Sequence, residues 1–224
     1  MEKQTPVVLL QSGGRDSAVA CSQLLSKGIP VHAITFLRGN IETASVPRTR
    51  AEEIYRQYDG YSWAAIDYRE WESGMTEVVG QRVSTTLPRS CLVCAMAKLT
   101  AGLKVCNALH TKSIAVGYVD YQNAWAEQTR LAIRLQEFHL RELGYELLLP
   151  ARTLRSKQQA KSVLRTSGLS AAPLENPCCV SVNGTEPVGE DVISKVITVA
   201  FDYAQVNQPV LRVVESLGEV QLCL

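Results

Sequence analysis

The sequence predicts an α/β protein: a doubly wound, parallel five-stranded sheet flanked by helices, Rossmann-like in outline, with a short helical C-terminal tail. Three observations carry that expectation. Short unbroken apolar runs alternate with amphipathic stretches, the pattern of strands buried on both faces between crossover helices. A glycine turn, "SGGRDS" at 12–17, follows the first apolar run and opens the first helix. The other unusual segments, "LRGN" and "GYVDYQN", also follow apolar runs, where doubly wound sheets bind their ligands.

Taken in order, "PVVLLQ" (6–11) reads as the first strand, and a helix from about Ser17 to Lys27 stops at Gly28-Ile29-Pro30. "VHAITF" (31–36) is the second strand, "TRAEEIYRQY" (49–58) a helix, and "YSWAAID" (61–67) the third strand. A helical stretch from Trp71 precedes a long helix from about Cys91 to His110, and "SIAVG" (113–117) is the fourth strand. Residues 127–143 place Leu and Ile at helical spacing; "YELLLP" (145–150) is the fifth strand and 156–168 another helix. The expected division is a nucleotide-binding domain over 1–171 and an extension over 172–224. That extension holds a cysteine-bearing loop, a helix near 189–205 and an end with no clear assignment. "DVISKVITVAFDYAQ" is apolar enough to pack on the domain or to form a homodimer interface.

Composition narrows the function classes. The 224 residues are 46% hydrophobic, ordinary for a domain with a real core. Lys plus Arg number 23 against 22 Asp plus Glu, which argues against a broadly basic nucleic-acid binder while leaving room for a local basic groove. No apolar run approaches the roughly 20 residues of a membrane span. "MEKQTPVVLL" reads as the approach to a first strand rather than a signal peptide, so a cytoplasmic protein is expected. Seven cysteines, at 21, 91, 94, 106, 178, 179 and 223, argue against a disulfide framework and raise metal or redox chemistry instead.

The glycine turn has the chemistry of an anion cradle. Two glycines let the backbone approach a phosphate, the helix start supplies N–H groups and a favourable dipole, and Ser12 and Ser17 add hydroxyl donors. Neither the Walker pattern nor GxGxxG is present. The residues resemble the SGGxDS signature of the PP-loop ATP pyrophosphatases, over roughly residues 6 to 179. The resemblance implies that Ser12, Gly13, Gly14, Asp16 and Ser17 hold the pyrophosphate end of ATP. Asp16 would act through Mg²⁺, because a bare carboxylate repels phosphate. It further implies adenine contact at the end of strand two, including Phe36, and a place near the α-phosphate for Gly117 and Asp120 in "IAVGYVDYQN". Lys157, in "LLLPARTLRSK", matches a late lysine of the family. By their residue types alone, Asp120 could equally cap the next helix, and Lys157 could be a solvated helix-start lysine.

Cys91 and Cys94 form a CxxC at a helix start, where the dipole and Arg89 favour thiolates. Packing inside the core is the bland alternative. With a later cysteine after a proline, the pair resembles the three-cysteine tRNA sulfurtransferases of the superfamily. The likeness implies a [4Fe–4S] cluster on Cys91, Cys94 and Cys178, with Cys179 competing for the third place. Zinc and a cluster-free persulfide pair stay open. Cys21, beside Leu24 and Leu25, and Cys106, beside Leu99 and Leu103, read as core residues.

The implied reaction is adenylation of a nucleobase carbonyl followed by sulfur transfer, with tRNA as substrate and a sulfur-donor protein as partner. Arg38, Arg48, Arg50, Arg152 and Arg155 fall near the active edge, where they could meet RNA phosphates, meet ATP phosphates or stay solvated. A second resemblance is to the cyano-deazaguanine synthases of queuosine biosynthesis, which act on a small deazapurine, although their C-terminal zinc cluster is missing here. A non-catalytic adenine-nucleotide sensor is the reading from another class.

Overall fold

The structure, a computed structural model, describes residues 4–38, 43–83, 91–176 and 188–218. Its strands are β1 (Val7–Leu10), β2 (Val31–Leu37), β3 (Tyr61–Asp67), β4 (Ser113–Val116), β5 (Glu146–Leu148) and β6 (Arg212–Leu217). They form one sheet in the order β5-β4-β1-β2-β3-β6. The first five are mutually parallel, with Leu10 opposite both Ile34 and Val116, while β6 runs antiparallel beside β3. The expected sheet of five strands therefore has a sixth. Its register against β3 shifts between Ala65 and Ile66.

Among the described residues, seven α-helices cover the two faces: α1 (Arg15–Leu25), α2 (Ser45–Gln57), α3 (Arg69–Arg82), α4 (Cys91–Ala108), α5 (Arg130–Glu142), α6 (Lys157–Thr166) and α7 (Glu190–Val206). Alternation along each strand divides the core accordingly. Val7, Leu9, Ala33, Trp63 and Ala115 pack with Ala18, Cys21, Ile54, Ala160 and Leu164 from α1, α2 and α6. Val8, Ile34, Ile66, Ile114 and Val116 pack with Met75, Leu92, Met96, Leu140, Val196 and Phe201 from α3, α4, α5 and α7. The tail helix α7 thus closes the second layer against α3, α4 and α5. Its Tyr203 ring lies 4.7 Å from that of Trp71, and its Phe201 stacks on His139 at 4.8 Å.

Helix α4 is, among the described residues, the one helix as long and apolar as a membrane span, and 61% of it is buried inside the fold. Gly102 lets it approach the sheet: a β-carbon there would stand 2.7 Å from Cδ1 of Ile114. The chain leaves β1 toward β2 and β3 on one side and returns through β4 and β5 on the other, so the loops after β1 and β4 part from each other. That divergence opens a crevice at the carboxyl ends of the strands.

Candidate functional site

The loop after β1 is built from below by a buried polar network. Gln11 accepts through its backbone carbonyl from Thr35 Oγ1 at 2.7 Å and through Oε1 from the Tyr61 hydroxyl at 3.2 Å. Trp63 Nε1 donates to Thr35 Oγ1 at 2.8 Å. Above this floor the turn is held by its own serines. Gly14 N–H donates to Ser12 Oγ at 3.1 Å, the Ser17 hydroxyl donates to the Gly14 carbonyl at 3.2 Å, and Ser12 N–H donates to Ser17 Oγ at 3.3 Å. Gly13 has φ +87°, a backbone state that other residues adopt at a cost. A β-carbon on it would also overlap the carbonyl oxygen of Leu174. Helix α1 follows directly, so the turn is preformed with a helix N-terminus facing the crevice.

Asp16 stands in the first turn of α1 and accepts a hydrogen bond from the Tyr121 hydroxyl. Burial raises its pKa above the usual carboxylate value, opposed by that hydrogen bond and by the charges of Arg15 and Lys157. Lys157, exposed at the first position of α6, is therefore close enough to act on Asp16, and Ser156 caps its helix by accepting from Gln159 N–H at 3.1 Å. Asp120 opens a 3-10 turn, Asp120–Gln122, whose position is fixed by Asp120 N–H donating to the Leu154 carbonyl at 3.0 Å. Gly117 directly follows β4, where a β-carbon would lie 2.6 Å from the backbone nitrogen of Ser17. Its absence of a side chain lets β4 reach the start of α1. The loop, Asp16, Gly117, Asp120 and Lys157 share one end of the crevice. Phe36 is different: its ring is 5% exposed and packs on Tyr68 at 5.2 Å, leaving only its backbone for a ligand.

The two described cysteines of the CxxC begin α4, one helical turn apart. Cys94 Sγ accepts from Arg38 Nη2 at 2.9 Å and has the Tyr68 hydroxyl at 3.7 Å. Arg38, just beyond β2, also pairs with Glu72 at 2.7 Å. The guanidinium thus puts a positive charge and an N–H donor on the sulfur at the head of α4. Among the described residues no group of three or more His, Cys, Asp or Glu is assembled for a metal. Cys178, Cys179 and Cys223 lie outside the described residues. Cys21 and Cys106 are fully buried, and burial pushes both thiols up.

The arginines read as candidates for phosphate contact mostly have other partners. Arg50 is completely buried. It donates to Glu53 at 2.6 Å and to the carbonyls of Ser170, Ala172 and Gly13 at 2.8, 2.7 and 3.4 Å. Burial lowers its pKa, opposed chiefly by Glu53. Arg48 pairs with Glu52 at 2.8 Å and with Glu215, and Arg152 donates to the Val119 carbonyl at 3.1 Å. Arg155 is exposed before α6. Two residues at the site escaped the sequence reading. Tyr121, next to the Asp120 candidate, had a signal in its position; Glu175, with its carboxylate against Ser12 at 3.4 Å, had none.

A family model described as thiamine biosynthesis protein (ThiI) matches residues 2–123, a span that includes the glycine turn, the CxxC pair and Asp120. No curated protein sequence matches the chain. Among solved structures, a 4-thiouridine synthetase–RNA complex with bound ATP superposes with a TM-score of 0.63 at 17% identity. The match covers 94% of this chain and 55% of that one, so this chain spans about half the synthetase's length. An NMN synthetase from Francisella tularensis superposes with a TM-score of 0.56 at 14% identity, covering 92% of this chain and 79% of that one. These superpositions establish the common fold.

Proposed function

The chain belongs to the ThiI family, within the PP-loop ATP pyrophosphatases, and on that premise we propose that it is an ATP-dependent tRNA sulfurtransferase working in the cytoplasm. The observation that carries this reading is a preformed SGGRDS cradle after β1 together with a cysteine pair whose Cys94 sulfur meets the guanidinium of Arg38 just after β2, both at the carboxyl ends of the parallel strands. A solved 4-thiouridine synthetase of the same fold, with ATP and RNA bound, supports it.

In this mechanism the loop of Ser12, Gly13, Gly14 and Ser17 receives the β- and γ-phosphates, with the start of α1 behind them. Asp16, whose pKa burial raises, would hold the Mg²⁺ that accompanies ATP, and the cation would supply positive charge between this carboxylate and the phosphates. Adenine lies toward the end of β2, against backbone at Phe36. The acceptor carbonyl oxygen attacks the α-phosphorus near Gly117 and Asp120, forming the oxygen–phosphorus bond as the bond to pyrophosphate breaks. Lys157 offsets the charge that builds there. A sulfur nucleophile from a donor protein then adds to the activated carbon, and AMP departs with the former carbonyl oxygen.

The donor set at Cys91 and Cys94 fits a soft metal centre, with Arg38 balancing thiolate charge. With Cys178 or Cys179 these residues would hold a [4Fe–4S] cluster, which when bound supplies an iron open to sulfide. Zinc is the less suitable occupant, because it would hold the thiolates without offering a place for transferable sulfur.

The test is formation of AMP and pyrophosphate with bulk tRNA, with the nucleosides then analysed for thiolation by mass spectrometry. tRNA-dependent pyrophosphate and a thiolated nucleoside are expected. Stimulation by a carboxy-deazapurine instead would move the protein to the nitrile-forming ligases. Tight ATP binding without turnover on either acceptor would make it a sensor.

A further inference from the structure

We infer that Glu175 is a latch on the phosphate loop: its carboxylate occupies the anion-binding face and must leave before a pyrophosphate group can enter. The inference rests on the reading of that loop as a pyrophosphate cradle.

Residues 170–176 cross the mouth of the loop. The Leu174 carbonyl oxygen fills the space a side chain on Gly13 would need, and Glu175 Oε2 fills the corresponding space at Gly14. The Ser12 hydroxyl donates to the same Oε2 at 3.4 Å. The two glycines leave the backbone bare for a close-approaching anion, and the group that approaches is the chain's own carboxylate. The carboxylate is not isolated from the site's other charges. Tyr121, which bonds Asp16, also feels Glu175.

The crossing segment is tied down on both sides. Arg50 holds the carbonyls of Ser170 and Ala172, at 2.8 and 2.7 Å, while reaching Gly13 at 3.4 Å from beneath. Asn176 Nδ2 donates to the Thr43 carbonyl at 2.9 Å. Glu175 itself is exposed and joined to the loop by a single long hydrogen bond. That combination, firm anchors flanking a weakly held carboxylate, suits a group that swings away without unfolding its segment. Two anions cannot share so small a face without a cation between them. A ligand binding only the open form has its affinity reduced by the fraction of molecules that are open. A latch closed about nine-tenths of the time would therefore weaken pyrophosphate binding roughly tenfold.

The experiment titrates magnesium pyrophosphate and magnesium ATP calorimetrically into the wild-type chain, Glu175→Gln and Glu175→Ala. Both variants are expected to bind pyrophosphate about tenfold more tightly than wild type, on the population argument above. Hydrogen exchange on a peptide covering 170–176 gives a second readout: ATP should leave exchange there no faster in the wild type, because the carboxylate departs while its anchored backbone stays in place. Unchanged affinity in both variants, with wild type binding normally, would overturn the latch alone. Weaker, magnesium-dependent binding in the variants would overturn it in favour of Glu175 as a metal ligand. Binding of neither ligand by any of the three proteins would overturn the cradle reading and the latch together.

Discussion

Replacing Arg50 by alanine separates an arginine that contacts substrate from one that holds the site together. Its guanidinium is fully buried and binds the Ser170 and Ala172 carbonyls at 2.8 and 2.7 Å and Glu53 at 2.6 Å. Hydrogen bonds to a charged donor contribute about 1.5–3 kcal/mol each. The bond to Gly13, at 3.4 Å, is too long to add much. Ala172 is exposed and can rebond to water, and Glu53 keeps 26% of its side-chain surface, so both losses must be discounted. The expected loss is about 3 kcal/mol, at the low end for breaking a buried charged pair. For a domain of this size that lowers Tm by roughly 6–12 °C. Urea unfolding followed by far-ultraviolet circular dichroism measures it. Arg50→Lys keeps the charge but loses the planar fork that reaches two carbonyls and a carboxylate together, so it should recover less than half of the loss. A loss under about 0.5 kcal/mol for the alanine variant would place Arg50 among ordinary surface positions and refute the reasoning.

Asp16→Asn should abolish pyrophosphate release while raising stability, because it removes a carboxylate whose charge burial disfavours. The sign follows from the raised pKa. The folded form holds the proton more tightly, so this group's contribution is favourable at low pH and is lost as pH rises through its folded pKa. The Tm advantage of the variant should therefore widen between about pH 4 and pH 7, and a constant gap would contradict it. Cys91→Ala and Cys94→Ala should keep tRNA-dependent formation of AMP and pyrophosphate and lose thiolation; loss of ATP binding in either would join two sites held apart here. In the folded protein, alkylation mapped by mass spectrometry should reach Cys91 and Cys94 well before Cys21 and Cys106, whose thiols are buried.

What the sequence could and could not reveal follows from how far apart the interacting residues lie. The first four strands were readable because each is largely buried between helices and so is mostly apolar, and β5, half-buried at the opposite edge, because its leucines still make an apolar run. Strand β6 was not. At the sheet edge its Arg212, Val213 and Val214 are exposed, so "RVVESL" carries neither an apolar run nor a clean alternation. The SGGRDS turn was readable because strand, turn and helix are contiguous and its serine bonds span at most five residues. Arg50 left a partial signal. It shares the buried face of α2 with Pro47, Ala51 and Ile54, a place where an arginine must find internal partners rather than solvent.

Glu175 left no signal, since 163 residues separate it from Ser12 and only the folded chain joins them. The same distinction bears on chemistry. A motif specifies what a loop can bind, because the binding groups are its own backbone and neighbouring hydroxyls. Whether that loop stands open depends on a carboxylate delivered from far along the chain, on a segment whose backbone at Ser170 and Ala172 is anchored by an arginine from α2. Affinity for the nucleotide is then a property of the fold rather than of the motif. Two chains with identical SGGRDS turns can differ tenfold in that affinity through the residue at the position of Glu175 alone, on the order a population of closed latches allows.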